Sequence, residues 1–259
     1  RFQALLLVMM SSNEAERLAA LRRYGVLDTP PEESFDRITR LARRGLDVPI
    51  ALITLVDEDR QWFKACIGLD RRETGLEESF CVHAIRADAV MVVEDATKDP
   101  RFADNPLVTG EPGIRFYAGA PLVTPEGHAI GTLCVLDTAP RTLDAAGRAT
   151  LRDLARIAID ELELRSTHRH HATILESITD GFYALDTEWR FTYVNQQAEA
   201  LLQHSRDELL GETIWAMFPE TKDLPNYDAY HRAVDTGEPV QFEAYSGRFG
   251  RWFDVKAYP

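Results

Sequence analysis

Residues 143–181 read LDAAGRATLRDLARIAIDELELRSTHRHHATILESITDG, and this stretch decides how the chain is organised. It contains no proline, and Gly147 is its only interior glycine. Leu151, Leu154, Ala158, Leu162 and Arg165 recur at three-four spacing, and Ile174 and Ile178 resume the pattern. That period marks one stripe of an α-helix, whose early part approaches a heptad seam. A helix is therefore predicted over 143–178, running out of one globular unit and into a second. A stiff helix between two small units can carry a rotation or a shift from one to the other. Such an arrangement points to signal transmission more than to chemistry.

Outward from this helix, composition sets the bounds. A length of 259 residues suggests two domains, each able to bury its own core. The formal net charge of -13 argues against binding a nucleic-acid backbone, which wants a basic face. Cys66, Cys81 and Cys134 are an odd and sparse set, which suggests a reducing, cytoplasmic setting without a disulfide framework. The apolar run FQALLLVMM over residues 2–10 is too short to cross a bilayer and lacks the features of a signal peptide. Residues 1–13 are read as an N-terminal extension, with no membrane insertion expected. The final WFDVKAYP breaks off inside a strand pattern, so the second unit is expected to be truncated.

On the N-terminal side, Ser12 or Asn13 is expected to cap a helix that ends at Tyr24-Gly25, and Pro30-Pro31 to open another. PIALITLVD, residues 49–57, is apolar at both parities and predicts a strand covered on both faces. RQWFKACIGL reads as its hairpin partner, SFCVHAIR as a short helix and AVMVVED as a short strand. IRFYAGAPLVT and HAIGTLCVLD are two closing strands whose glycines and alanines imply close backbone approach. On the C-terminal side, GFYALD and RFTYVN read as a hairpin around Thr187-Glu188. Short helices follow in QQAEALL, in SRDELL with Ser205 as cap, and in WAMF. A longer one, YDAYHRAVDTG, ends at Gly237 before two strands, EPVQFEAYS and RWFDVKAYP. Both units are thus α+β, each a central antiparallel sheet with flanking helices, joined by the long helix.

Residues 14–164 resemble a GAF domain of the bacterial sensor type. The segments that carry the likeness are YGVLDTPPEESFDRITRLA, PIALITLVDEDRQWFKACIGL, SFCVHAI, DPRFADNP, IRFYAGAPLVT and IGTLCVLD, in that order. Residues 171–259 resemble a PAS domain through ESITDGFYALD, RFTYVN with Asn195, DELLGETIWAMFPE and TGEPVQFE. The resemblance implies a six-stranded antiparallel GAF sheet and a PAS sheet that would have five strands if complete. It also implies a parallel homodimer through the N-terminal and connecting helices. An output domain is expected downstream, a histidine kinase ahead of a cyclic-dinucleotide enzyme.

Candidate chemistry is sparse. Cys81 and His83 could hold zinc or link a bilin, but metal sites usually need three or four ligands, and packing is the favoured reading. Cys134 and Cys66 sit in apolar strands and read as small buried hydrophobes. Family analogy points to Phe80, Cys81, His83, Phe102, Arg115, Phe116 and Tyr117 for a GAF pocket, with Arg115 able to meet an anion beside an aromatic wall. In the PAS unit Tyr183, Tyr193, Trp215 and Phe242 are the pocket candidates, and Phe191 and Trp252 are further aromatics read mostly as core. The second unit has no cysteine for a flavin adduct, and His231 reads as a surface histidine rather than a haem ligand. His168, His170 and His171 read as a solvated junction. No catalytic triad, paired carboxylates or nucleotide-binding motif is present, so no activity, cofactor or metal is expected for these residues. A sensory input module that relays ligand or partner binding to an output domain is the leading expectation. A dimerisation and interaction scaffold with no small ligand is the alternative.

Overall fold

Alternation along Ile50–Val56 leaves no solvent-facing position, and the strand is buried at every residue. The computed structural model describes residues 2–87, 89–177, 179–223, 225–247 and 250–259; the side chains of 2–12, 168, 170–174, 177, 223, 225 and 251 lie outside that description. It divides into two compact units, residues 1–169 and 170–259. In the first, chain order is α1 (Phe2–Tyr24), α2 (Glu33–Gly45), β1 (Ile50–Val56), β2 (Arg60–Ile67), β3 (Glu73–Gly75), α3 (Cys81–Ala84), β4 (Met91–Val93), α4 (Pro106–Thr109), β5 (Phe116–Val123) and β6 (Ala129–Asp137). The helix α5 (Ala145–Ser177) closes it and continues past its end.

Six antiparallel strands form one sheet in the order β3-β2-β1-β6-β5-β4, which puts β1 and β6 at the centre. Because side chains alternate across a strand, the sheet carries two cores. One face holds Ile53, Leu55, Phe116 and Leu133 against Leu21 of α1, Phe35 of α2 and Leu151 of α5. The other holds Leu52, Phe63, Tyr117 and Cys134 against α3 and the segment around Phe102. At Gly131 of β6 an added Cβ would run into the Thr54 carbonyl of β1, so the central strands fit only without a side chain there. The close backbone approach expected of the closing strands is observed at Gly131, whereas Gly119 lies against the Tyr117 side chain.

Two readings of the helices are corrected. α1 passes through Ser12 and Asn13 without starting there, so neither is its cap. The stripe Leu151, Leu154, Ala158 and Leu162, expected to approach a heptad seam, packs into the unit's own core. Among the described side chains of α5, the apolar residues left about half exposed are Ile157 and Leu164, seven apart. Ile174, Ile178 and the three histidines of 168–171 lie outside the described residues or side chains.

α5 is fastened to the first unit by polar contacts at Glu163 and Arg165, just past its midpoint. Tyr24 at the end of α1 donates to Glu163, which, with burial first, raises the phenol above its ordinary pKa. Arg165 donates to the Tyr24 and Gly25 carbonyls, 3.2 Å each, and to Glu32 before α2, 2.9 Å. Glu32 also accepts from Lys64 of β2, whose side chain is fully buried and whose ammonium donates to Thr29 and the Pro30 carbonyl. Burial pulls the Glu32 carboxyl up, but Lys64 and Arg165 together hold it below its ordinary value.

The second unit contains β7 (Tyr183–Leu185), β8 (Phe191–Val194), α6 (Gln196–Leu202), α7 (Arg206–Leu209), α8 (Ile214–Met217), α9 (Pro225–Thr236), β9 (Val240–Ser246) and β10 (Arg251–Ala257). β7 pairs with β8 and β9 with β10, both antiparallel. Ser205 and Glu208 form the capping box that opens α7. Gly237, with φ of 68°, follows α9 in the left-handed region, where it closes the helix at the position expected. Phe191, Val194, Leu209, Ile214, Phe218 and Tyr230 form the core. Among the described residues no helix is long and apolar enough to cross a membrane.

Candidate functional site

On the sheet face opposite α5, the first unit holds a partly open cavity of about 210 Å³. Its apolar wall is built by Leu52 of β1, Phe63 of β2, Tyr117 of β5, Leu107 of α4 and Phe80 just before α3. Strand parity turns the first three inward. Polar atoms converge on one side, where Ser79 donates to Gln61 and both are buried. Thr74 of β3 also lines the cavity, and its buried hydroxyl has no hydrogen-bond partner among the described residues. The charged residues at the cavity are Asp70, Glu78 and Glu111 against Arg71, which pairs with Glu78 at 3.5 Å. Carboxylates therefore dominate its charge.

The seven residues expected at this pocket divide. Phe80, Cys81 and Tyr117 line it. Phe102 and His83 stand behind them as a second layer. Phe102 stacks on Phe80 with centroids 4.2 Å apart, and His83 meets Phe102 edge-on at 5.0 Å. Burial, then Arg101 and Arg86, keep the His83 imidazole below its ordinary pKa and so neutral near pH 7. Phe116 and Arg115 correct the expectation of a charged aromatic wall. Phe116 follows Tyr117 in parity on the other face, in the core beneath α5. Arg115 turns its guanidinium to the Val108 and Ile114 carbonyls, 2.9 and 3.1 Å, and so ties α4 to the segment leading into β5.

Cys81 and His83 diverge. The Cys81 sulfur faces the sheet, where it accepts from Thr132 Oγ1 at 3.0 Å and from the Tyr117 hydroxyl at 3.3 Å. Cys134 Sγ lies 3.8 Å away, also at the cavity wall. Thr132 in turn meets Thr54 Oγ1 at 3.1 Å. Burial works against a thiolate at Cys81, but the surrounding donors outweigh it and draw the thiol down to about 6. Burial and the neighbouring Cys81 push Cys134 the other way. Spacing along the chain gave no sign of this pair, because Cys81 and Cys134 are brought together only by the docking of α3 on β6. Among the described residues no group of three or more His, Cys, Asp or Glu side chains could hold a metal ion.

In the second unit three of the four expected residues pack around the buried Tyr230. The Tyr183 hydroxyl lies 2.6 Å from that of Tyr230, Phe242 meets its ring edge-on at 5.8 Å, and Trp215 lies 6.2 Å from it. Tyr193 is elsewhere. Its hydroxyl donates to Glu176 at 3.1 Å while the Arg206 guanidinium lies over its ring. His231 is not a plain surface residue, since its ring sits among Trp189, Tyr227 and Trp215 at 4.5, 4.2 and 5.9 Å. Trp189 reaches it from a turn with φ of 65°, a strained conformation for so large a side chain.

Residues 30–161 match the family model described as GAF domain, and residues 175–259 match the one described as PAS fold. A cyclic di-GMP phosphodiesterase of Pseudomonas aeruginosa is 48% identical over 158 residues, or 60% of this chain. The chain spans 27% of that relative's length. The GAF domain of an Acinetobacter phosphoenolpyruvate-protein phosphotransferase is similar in structure, at 22% identity and TM-score 0.44, over 61% of this chain and 95% of its own. A domain of a two-component sensor histidine kinase protein from Sinorhizobium meliloti is similar at 19% identity and TM-score 0.44, over 54% and 97%.

Proposed function

We propose, from the premise that this chain belongs to the GAF domain family and carries a PAS fold after it, that this sensory module detects a small molecule in the GAF cavity. The observation that carries the reading is a pocket with an apolar wall of Leu52, Phe63 and Tyr117 beside the polar side chains of Gln61, Thr74 and Ser79. Asp70, Glu78 and Glu111 outweigh Arg71 there, which disfavours a phosphate dianion and favours a neutral or cationic guest with a hydrogen-bonding group. Such a guest would bind one arrangement of the unit better than another and shift the population toward it. β1, β5 and β6 carry cavity residues on one face and the packing surface of α5 on the other, which gives the shift a physical route to that helix.

Output in this reading is cyclic di-GMP turnover by a domain further along the parent protein, because the Pseudomonas relative is a cyclic di-GMP phosphodiesterase. It takes the place of the histidine kinase that the sequence alone put first. We further propose a parallel homodimer, with Ile157 and Leu164 of α5 as the apolar strip one copy offers another. A thermal-shift screen of the purified chain against neutral and cationic metabolites tests the ligand reading. A saturable rise in Tm is expected from at least one compound and its loss when Thr74 is replaced by Leu. No saturable stabilisation from any compound would favour the scaffold alternative.

A further inference from the structure

We propose that Cys81 and Cys134 form a peroxide-responsive dithiol in which Cys81 is oxidised first and Cys134 resolves it as a disulfide. The inference is independent of whether the cavity binds a metabolite. Three features of the geometry carry it. The two sulfurs stand 3.8 Å apart on separate elements, α3 and β6, within reach of bond formation by a small rotamer change. Thr132 and Tyr117 aim hydroxyls at the Cys81 sulfur, an arrangement that stabilises a thiolate and not a thiol. Both residues border the pocket, which has room for water-sized molecules, and hydrogen peroxide is scarcely larger; a peroxide held there lies beside Cys81, which is 2% exposed, with Cys134 fully buried behind it. Gly119 contributes as well, since a Cβ there would collide with the Tyr117 hydroxyl and push it from the sulfur.

In the first step the Cys81 thiolate attacks one peroxide oxygen. The S–O bond forms, the O–O bond breaks, and hydroxide leaves, giving the sulfenic acid. In the second, the Cys134 thiol attacks the Cys81 sulfur. The S–S bond forms, the S–O bond breaks, and the departing hydroxyl takes the thiol proton and leaves as water. Overall the dithiol loses two electrons and two protons, and one peroxide becomes two waters. An external dithiol such as dithiothreitol reverses the result by exchange.

The test is peptide mapping of the whole chain after hydrogen peroxide treatment, under non-reducing conditions. The expected product is a cross-linked pair of peptides bearing Cys81 and Cys134, lighter by two hydrogens and restored by dithiothreitol, with Cys66 still free. Cys134→Ala is expected to stop at a Cys81 sulfenic acid that dimedone captures, and Cys81→Ala to leave Cys134 unlabelled. The wild-type map stands without the variants should either fail to fold. Oxidation of Cys66 alone would overturn the proposal, as would free thiols at both Cys81 and Cys134 after peroxide. Dimedone capture at Cys134 instead of Cys81 would overturn the assigned order.

Discussion

At position 195 one side chain uses its full hydrogen-bonding capacity. The Asn195 carbonyl oxygen accepts from the Phe182 and Ala198 amides, 2.9 and 2.8 Å, and its nitrogen donates to the Leu175 and Asp180 carbonyls, 3.1 and 3.0 Å. It thereby caps α6 and binds the last turns of α5 to the start of the second unit's sheet. Asn195→Ala would leave several buried backbone groups unpaired, and a loss of roughly 3 kcal/mol is expected in denaturant unfolding of that unit. Unchanged stability would contradict the role. Gly131→Ala should cost about as much in the first unit, because the obstruction is backbone and cannot rotate away. Both positions were legible to a degree. RFTYVN singled out Asn195, and the glycine-rich strand announced a close approach. Most partners were not legible: Phe182, Asp180 and Leu175 lie 13 to 20 residues from Asn195, and Thr54 stands on a different strand from Gly131, so both sets depend on the fold. Phe116 was different, because two-residue alternation from Tyr117 already put it on the opposite face, yet family analogy had grouped the two.

Among the elements, α5 shows most clearly what periodicity can and cannot reveal. Its three-four stripe was read correctly as a helical face, but spacing alone does not say whether that face meets its own sheet or a second copy. Nor did the sequence show what pins it at Arg165, because Arg165, Glu32 and Lys64 come from three distant segments. Here desolvation is decisive. Lys64 remains below its ordinary pKa even beside Glu32, as burial outweighs the pairing. The pair therefore serves register more than stability. Lys64→Met is expected to change stability by no more than about 1 kcal/mol, while Glu32→Gln, which removes the carboxylate facing both the buried Lys64 ammonium and Arg165, should cost about 2 kcal/mol. Glu32 keeps 35% of its side chain exposed, which places that cost at the low end. The pH dependence has a definite sign. A carboxyl held below its ordinary 4.5 contributes stability that is full above that value and fades as pH falls through the depressed one. Glu32→Gln should therefore flatten the loss of stability below pH 4.5, as measured by thermal melts across the acid range. An equally steep loss in the variant would show that other carboxylates govern it.

At the scale of the whole molecule, two α+β units and a long helix were apparent from composition, strand parity and helix caps. A pocket was expected from family analogy alone, and its actual lining was not apparent, because it depends on which aromatic residues stack behind which strands. Self-association belongs to this scale too. Replacing Ile157 and Leu164 together by Lys is expected to weaken a dimer at least about tenfold in sedimentation equilibrium, roughly 1.4 kcal/mol. A protein that sediments as a monomer at every concentration would remove the dimer from the mechanism. The central claim is that occupation of the cavity on one face of the sheet is felt by α5 on the other. Hydrogen exchange followed by mass spectrometry, with and without the most stabilising compound of the screen, addresses it directly. Slower exchange is expected over residues 151–165 of α5 as well as in β5 and β6; protection confined to α3 and the cavity loops, with α5 unchanged, would contradict it.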